Sequence, residues 1–132
     1  MTTRMIDKEF LEGLLLQAEE NPRKRVNYDM RTSPEDGSQR MLNAMLPGTE
    51  VAVHHHPNSD ENIIAIIGRL DVILLDDGIH ESERYHLCPT EGRYGCQVPK
   101  GVWHTVEVIE PSVIYEAKDG KYGEDGSETY EG

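Results

Sequence analysis

Four residues of the 132-residue sequence have the types and the spacing of a metal site. His54 and His56 are two positions apart, so on an extended chain both side chains point to the same face. Glu61 follows after a short polar loop, and His104 follows a turn-forming segment at 99–101. Imidazole and carboxylate together suit divalent transition metals. The sequence therefore predicts one such ion, Zn, Fe, Mn or Ni, held by these four residues.

The predicted ligand set would leave part of the metal exposed. Three histidines and one glutamate fill four positions, so an octahedral ion keeps two for water, substrate or dioxygen. Such an open site is typical of catalysis rather than of a sealed structural ion. The ion would acidify a bound water or polarise a chelating oxyanion. The ligand set serves several metals and does not select among them.

The other histidines have simpler interpretations. Consecutive histidines at 54–56 could form only a polar loop, but the residues around them fall at the spacings described below. His55 lies between two inward residues, so we expect it to face solvent. His80 and His86 lie in a polar turn and strand and are predicted to be surface residues.

A helix is predicted over residues 8–20. Asp7 can cap its N-terminus, and Leu11, Leu14 and Leu15 fall on one face at helical spacing. Pro22 ends it, because the residue before a proline disfavours helical geometry. We expect the leucine face to pack on a sheet or on a partner chain.

Short strands separated by turns follow this helix. Their number predicts an all-β fold, a closed β-barrel or jelly roll preceded by a short N-terminal α-helix. The predicted strands span residues 40–46, 49–54, 62–67, 69–75, 81–87, 95–98, 102–108 and 112–118.

The chain divides into three predicted parts. Residues 1–38 hold the helix and a connecting segment, 39–118 the barrel, and 119–132 a flexible acidic tail without aliphatic residues. The net charge of −12 and the pI near 4.8 disfavour nucleic acid and anionic membrane surfaces as partners. The simplest role of this acidity is solubility.

The sequence predicts a cytoplasmic protein. The first ten residues carry four charges and no apolar segment, unlike a secretory signal. The longest apolar run, 63–67, is far shorter than a membrane span. Cys88 and Cys96 match no zinc-binding spacing, and two free thiols suit a reducing compartment.

The chain resembles the cupin superfamily through two motifs. Gly-x5-His-x-His-x4-Glu-x6-Gly runs from Gly48 to Gly68, and Pro-x-Gly-x2-His runs from 99 to His104. The second motif departs in two places, because its leading glycine falls one residue early at Gly92 and Val108 replaces its asparagine. The resemblance implies a cupin fold with all four metal-ligand positions filled.

A closer resemblance is to the WbuC family of cupin-fold metalloproteins and covers nearly the whole chain except the tail. That family commonly has arginine at the position of His55. Its reaction is not established, and some members occur with surface-polysaccharide biosynthesis genes. The segments that carry the resemblance are the leading helix, Gln39 to Ala44, Gly68 to Leu70, Trp103-His104 and Glu116 to Gly120.

Polar residues within apolar strands are the candidates for binding a small ligand. Such groups either face solvent or line a pocket. An anionic or hydroxyl-rich ligand would suit them. The candidates are Arg40, Asn43, Glu116 and Lys118.

Alternation along the strand after Glu61 predicts a two-sided apolar element. Ile63, Ala65 and Ile67 should wall the pocket, while 64 and 66 face the other way. Trp103 precedes a ligand and should pack on the outside or at a subunit interface. Together with the helical leucine stripe, this pattern predicts a homodimer.

Three functions agree with these residues. The first is a metalloenzyme that uses its ion as a Lewis acid on a carbohydrate or a sugar-derived acid, as an isomerase or epimerase does. The second is an Fe(II)-dependent cupin dioxygenase. The third is a non-catalytic sensor that binds a small ligand. The sequence leaves the substrate and the reaction open.

Overall fold

In the computed structural model, which describes residues 3–77, 79–121 and 126–130, a helix precedes a series of antiparallel strands. The helix α1 spans Lys8–Glu20, with the predicted bounds. The Asp7 carboxylate accepts a hydrogen bond from the Phe10 N–H at 2.9 Å, and extended backbone at Asn21 ends the helix. The capping residue therefore sets the start of α1, as expected.

The strands confirm the predicted all-β class with a short N-terminal helix. All the pairings among them are antiparallel, and a short 3-10 helix, Pro89–Glu91, lies between β5 and β6. The strands are β1 (Arg25–Asp29), β2 (Ser38–Met45), β3 (His54–His55), β4 (Glu61–Asp76), β5 (His80–Leu87), β6 (Gly95–Val98), β7 (Trp103–Asp119) and β8 (Glu128–Thr129).

Two long strands, β4 and β7, pair with each other and pass through both halves of a curled sheet. In the first half, the order is β1-β2-β7-β4-β6. In the second half, the order is β5-β4-β7-β3-β8. We call these halves the first and second sheets. Each long strand therefore belongs to both sheets.

The bend between the two sheets lies at Gly68. The sequence predicts a break between two strands here, but β4 is continuous and changes register around this residue. Gly68 has φ +100, and a Cβ there would lie 2.6 Å from the Ser112 Cα. The Ser112 hydroxyl accepts the Arg69 N–H at 3.0 Å and donates to the Glu110 carbonyl at 2.7 Å. The close approach of β4 and β7 thus requires glycine.

Two apolar clusters hold the fold together. One lies between the sheets, and the other joins α1 to the outer face of the first sheet, so the helical leucines pack on a sheet of their own chain. Buried residues of the first cluster are Met45, Ile63, Ala65, Leu70, Val72, Leu87, Val98, Val108 and Ile114. Those of the second are Leu11, Leu14, Leu42, Ala44 and Val113.

Two strands lie outside the range 39–118 that the sequence assigns to the barrel. β1 pairs with β2, and β8 pairs with β3. The Tyr130 N–H also donates to the Val53 carbonyl at 2.8 Å. Residues 122–125 and 131–132 of the predicted flexible tail lie outside the described residues. Among the residues that are described, no helix is long and apolar enough to cross a membrane.

Candidate metal centre

The four predicted ligands converge at one end of a cavity between the two sheets. His54 of β3 pairs across the sheet with His104 of β7, and Glu61 begins β4. One potential ligand atom from each of the four residues lies within 4.8 Å of the others. His56, Glu61 and His104 are buried. The cluster is therefore assembled from the ends of three strands and the loop after β3.

Backbone carbonyls fix the ring orientation of two histidines. The Nδ1 atoms of His54 and His104 lie 2.8 and 2.9 Å from the carbonyls of Ala52 and Val102. Because a carbonyl can only accept, each Nδ1 donates, and in the neutral ring the lone pair is then on Nε2. The His104 Nε2 atom is buried without a hydrogen-bond partner among the described residues. It lies 3.7 Å from Glu61 Oε1, beyond hydrogen-bond distance.

His56 has a different environment. Its Nε2 lies 2.7 Å from Glu61 Oε2, while its Nδ1 lies 2.5 Å from the Ser127 hydroxyl and 3.1 Å from Lys118 Nζ. Ser127 belongs to the C-terminal segment that pairs with β3. Groups that orient a ligand from behind tune its basicity and its ring position. Ser127 therefore contacts the Nδ1 side of His56, whereas Lys118 Nζ also lies 3.5 Å from His56 Nε2 and 3.9 Å from Glu61 Oε2, at the edge of the cluster.

Electrostatics favours the ligating form of Glu61 and of His54. Burial opposes ionisation of Glu61, but the imidazoles of His104 and His56 hold the pKa of its carboxyl below the ordinary value. Burial, followed by the proximity of His104, lowers the pKa of His54 to about 4. A neutral imidazole beside a carboxylate is the protonation state that a metal requires.

The residues present fit a divalent transition metal. Donors on opposite sides of an ion with bonds near 2.1 Å lie about 4.2 Å apart, comparable with the 4.8 Å limit seen here. The unpartnered His104 Nε2 gives a second, independent indication, because buried polar atoms are nearly always satisfied. Three imidazoles and one carboxylate can therefore hold one ion, whose identity they do not fix.

His55 lies on the opposite face of β3 from its neighbours, as alternation requires, but it does not face solvent as predicted. Its side chain is only 14% exposed. Its ring centroid lies 4.1 Å from that of Trp103, and its Nε2 lies 3.2 Å from a Glu128 oxygen. Trp103 and the C-terminal segment cover it, a contact between distant residues that sequence alternation does not reveal.

The predicted surface histidines differ in their contacts. His80 and His86 are exposed, as expected. His86 nevertheless has a partner, because its Nδ1 lies 2.7 Å from Asp71 Oδ1. Neither ring belongs to the metal cluster.

The cluster opens into a cavity of about 320 Å³. Three of the four predicted ligand-binding residues line it: Asn43, Glu116 and Lys118. The prediction for Arg40 needs correction, because this residue lies outside the cavity and its guanidinium pairs with Asp36 at 2.7 Å. Arg40 and Asn43 are three residues apart on β2, so they point to opposite faces. Sequence reasoning missed other residues that line the cavity: Arg23, Arg25, Asn27, Gln39 and Met41.

The predicted apolar pocket wall also needs correction. Ile63 and Ala65 are buried in the cluster between the sheets, whereas Ile67 packs in the cluster beneath α1. The register shifts on either side of Ile67 reverse the alternation there. The apolar side chains that line the cavity are instead Met41, Met45, Val51 and Val106.

Glu116 is the titratable group of the cavity outside the four-residue cluster whose pKa lies near neutrality. The Asn43 amide donates to its Oε1 at 2.6 Å. Burial and the negative charge of Glu61 raise the pKa of Glu116 to about 7. At neutral pH this side chain can therefore either hold or accept a proton.

Solved structures share this architecture. A Klebsiella pneumoniae protein with a double-stranded β-helix domain superposes with a TM-score of 0.69 at 14% identity, over 99% of this chain and all of that one. Oxalate oxidase in complex with glycolate gives 0.63 at 14% identity, covering 83% of this chain and 56% of that one. CapF in complex with an inhibitor gives 0.65 at 16% identity, covering 80% of this chain and 31% of that one. This chain thus spans about half of an oxalate oxidase.

The chain has a cupin-like double-stranded β-helix fold, and its four-residue cluster can hold a metal ion. Residues 6–87 match a domain of unknown function, DUF6016, and the chain belongs to that family. A search of curated proteins gave no match.

Proposed function

We propose that this cupin binds one divalent transition metal and uses it to act on a small carbohydrate or sugar-derived acid, as an isomerase or epimerase does. The observation that carries the proposal is the cluster itself, three imidazoles and one carboxylate that face a polar cavity. His54, His56, Glu61 and His104 would hold the ion, which would polarise a carbonyl or carboxylate oxygen of the ligand.

The residues around the cluster have separate roles in this proposal. Glu116 would take a proton from the carbon beside the polarised carbonyl and return it, to the same or the neighbouring carbon. Asn43 holds the Glu116 Oε1 atom and so orients the carboxyl group. Lys118 lines the same cavity and offers a positive charge to an anionic ligand.

One structural neighbour agrees with this class of ligand. Oxalate oxidase has been solved with glycolate, a substrate analogue. Glycolate is a small 2-hydroxy acid whose two oxygen groups can approach one metal ion together. A sugar-derived acid presents the same pair of groups.

The test uses tag-free protein loaded with Zn²⁺ or, without oxygen, with Fe²⁺. Sugar acids and nucleotide sugars are incubated with each form in D₂O and followed by NMR, beside an oxygen electrode. We expect the zinc form to exchange the proton beside the carbonyl without consuming oxygen. Glu116→Gln should slow this exchange by about a hundredfold, the usual contribution of one acid–base group, whereas the exposed Glu110→Gln should not.

Two results would contradict the Lewis-acid proposal. Oxygen uptake that requires both Fe²⁺ and substrate would favour the cupin dioxygenase. Binding without turnover by either form would favour the non-catalytic sensor.

The closer resemblance to the WbuC family stays a prediction, as does its link to surface-polysaccharide biosynthesis. We infer these from the segments shared with that family, and they agree with a sugar-derived ligand.

We also propose that the chain forms a homodimer. Ile64 on the outer face of the first sheet is 43% exposed, and Tyr94 beside it is 61% exposed. Adjacent exposed apolar side chains are typical of an interface. Analytical ultracentrifugation should give twice the monomer mass, and Ile64→Arg should lower it, whereas Ile79→Arg at another exposed isoleucine should not. A monomer at all concentrations up to about millimolar would contradict the dimer.

A further inference from the structure

Two arginines line the metal cavity without a carboxylate partner. Arg23 and Arg25 both line it, together with the metal cluster. Within residues 3–77, 79–121 and 126–130, no carboxylate oxygen lies within 4.0 Å of either guanidinium. Each of the other arginines pairs with a carboxylate, except Arg4, whose guanidinium lies over an aromatic ring. Those others are Arg4, Arg31, Arg40, Arg69, Arg84 and Arg93.

The position of Arg25 follows from the register of β1. Arg25 pairs across the sheet with Met45, and Asn27 pairs with Asn43. Cross-strand partners project to the same face of a sheet. Met45 and Asn43 both line the cavity, so Arg25 and Asn27 share their face.

The backbone at Arg23 is held in place by several contacts. The Asn21 side chain accepts its N–H at 2.8 Å, and its carbonyl accepts the Thr49 hydroxyl at 2.6 Å. Lys24 between the two arginines has φ +58, a conformation that costs about 1 kcal/mol or more outside glycine. The Lys24 carbonyl accepts the Leu46 N–H at 3.0 Å, which helps to maintain this turn. The two guanidiniums are therefore carried by an ordered segment.

The two arginines lie toward the outer end of the cavity. Arg23 is exposed, whereas His104 at the metal cluster is 1% exposed. Both arginines also line an adjoining surface cavity with Lys24, Gly48 and Glu50. Burial and the charge of Arg23 lower the pKa of Arg25, while Glu116 acts in the opposite sense. The whole chain has a charge of −12. Two positive side chains at one end of the cavity would nevertheless attract an anion there.

We propose that the ligand carries a second anionic group, a carboxylate or a phosphate, at the end remote from the metal, and that Arg23 and Arg25 bind it. This inference rests on the proposed function for the chelating end of the ligand. Guanidinium groups bind both oxyanions through paired hydrogen bonds. The substrate class is thus a small acid with two separated anionic ends.

Three related acids test this inference by calorimetry with zinc-loaded protein. Gluconate, glucarate and 6-phosphogluconate share the 2-hydroxy acid end but differ at the other end, which is neutral, a carboxylate or a phosphate. We expect one or both doubly anionic acids to bind at least about tenfold more tightly than gluconate. The two chelating ends of glucarate account for only about a factor of two of this. The tighter of the two identifies the remote group.

Charge-removing variants locate the effect. In the double variant Arg23→Gln, Arg25→Gln, the affinity for the doubly anionic acids should fall to within about threefold of that for gluconate. The affinity for gluconate and the zinc content should not change. Arg93→Gln removes the same charge from the 3-10 helix region and should keep the full preference. The same samples are checked for zinc content and for an unchanged melting temperature.

The outcomes separate the two proposals. Equal affinity for the three acids in protein holding one zinc, or no binding of any of them, would overturn the arginine inference and leave the metal site standing. A full preference in the correctly folded double variant would also overturn it. Failure to bind zinc would contradict the proposed function. If the protein does not bind zinc but still binds a doubly anionic acid more tightly than gluconate, loss of this difference in the double variant would support the arginine inference.

Discussion

Replacing His104 with alanine is expected to lower metal affinity by about a hundredfold or more. Its Nε2 is buried and unpartnered among the described residues, and its Nδ1 is held by the Val102 carbonyl. Loss of a group that only orients a ligand costs about 10–100-fold, so loss of a ligand itself should cost at least as much. His54→Ala and His56→Ala should behave similarly. Metal content after dialysis and competition with a coloured chelator measure the change.

His55→Ala is the matched control within the same strand. It removes an imidazole next to two ligands, but this ring lies on the other face against Trp103. The variant is expected to lose stability without losing metal. Equal metal loss in His55→Ala and His54→Ala would contradict the register of β3. Metal below about a tenth of an equivalent in the parent protein, without rebinding, would contradict the site as a whole.

Gly68→Ala is expected to destabilise the fold by about 2–6 kcal/mol. An alanine at φ +100 is strained, which costs about 1–3 kcal/mol. Its Cβ would also lie 2.6 Å from the Ser112 Cα, and overpacking of this kind costs about another 1–3 kcal/mol. The backbone of β7 cannot withdraw easily, because Ser112 is fully buried. Urea denaturation gives the free energy of unfolding.

Variants at two other glycines separate the cost of backbone strain from the cost of steric contact. Gly92 has φ +80, and a Cβ added there would meet no atom within 4 Å, so Gly92→Ala should show the strain alone. Gly13 lies in α1 with equally open surroundings, so Gly13→Ala should stabilise the protein by about 0.5–1 kcal/mol. If Gly68→Ala and Gly92→Ala cost the same, the close approach of β4 and β7 is not the reason for glycine at 68.

Local signals were sufficient for the helix and for much of the metal cluster. Asp7 and Pro22 bracket α1, and the leucine spacing identifies its buried face. His54 and His56 lie close together because a period of two holds on any extended segment. His104 is predicted from the motif spacing alone. It pairs with His54 on a strand that is distant in sequence, and no local pattern shows such a pairing.

Strand continuity could not be predicted from the same signals. Gly68 and Pro111 read as turn residues, yet each lies within a long strand that bends from one sheet to the other. A glycine at a bend and a glycine at a chain reversal look alike in sequence. The bend also shifts the register, which is why Ile67 lies on an unexpected face.

The outer strands gave little signal for a physical reason. β1 is short and largely polar, and β8 has two residues. Such strands are stabilised by pairing with distant strands rather than by their own apolar pattern. The two cavity arginines were missed for this reason, because without β1 the basic cluster at 23–25 fits equally well as charge at the C-terminus of the helix or as a solvated turn.

The sharing of β4 and β7 between both sheets has a consequence for how the protein folds. Neither sheet can form completely without the other, because the same two strands supply the hydrogen bonds of each. Their pairing joins distant residues, such as Glu61 with Lys118. Folds dominated by such contacts cross their barrier slowly, in about milliseconds to seconds. The ligands meet only when these strands close, so metal capture during refolding would report the completed native topology.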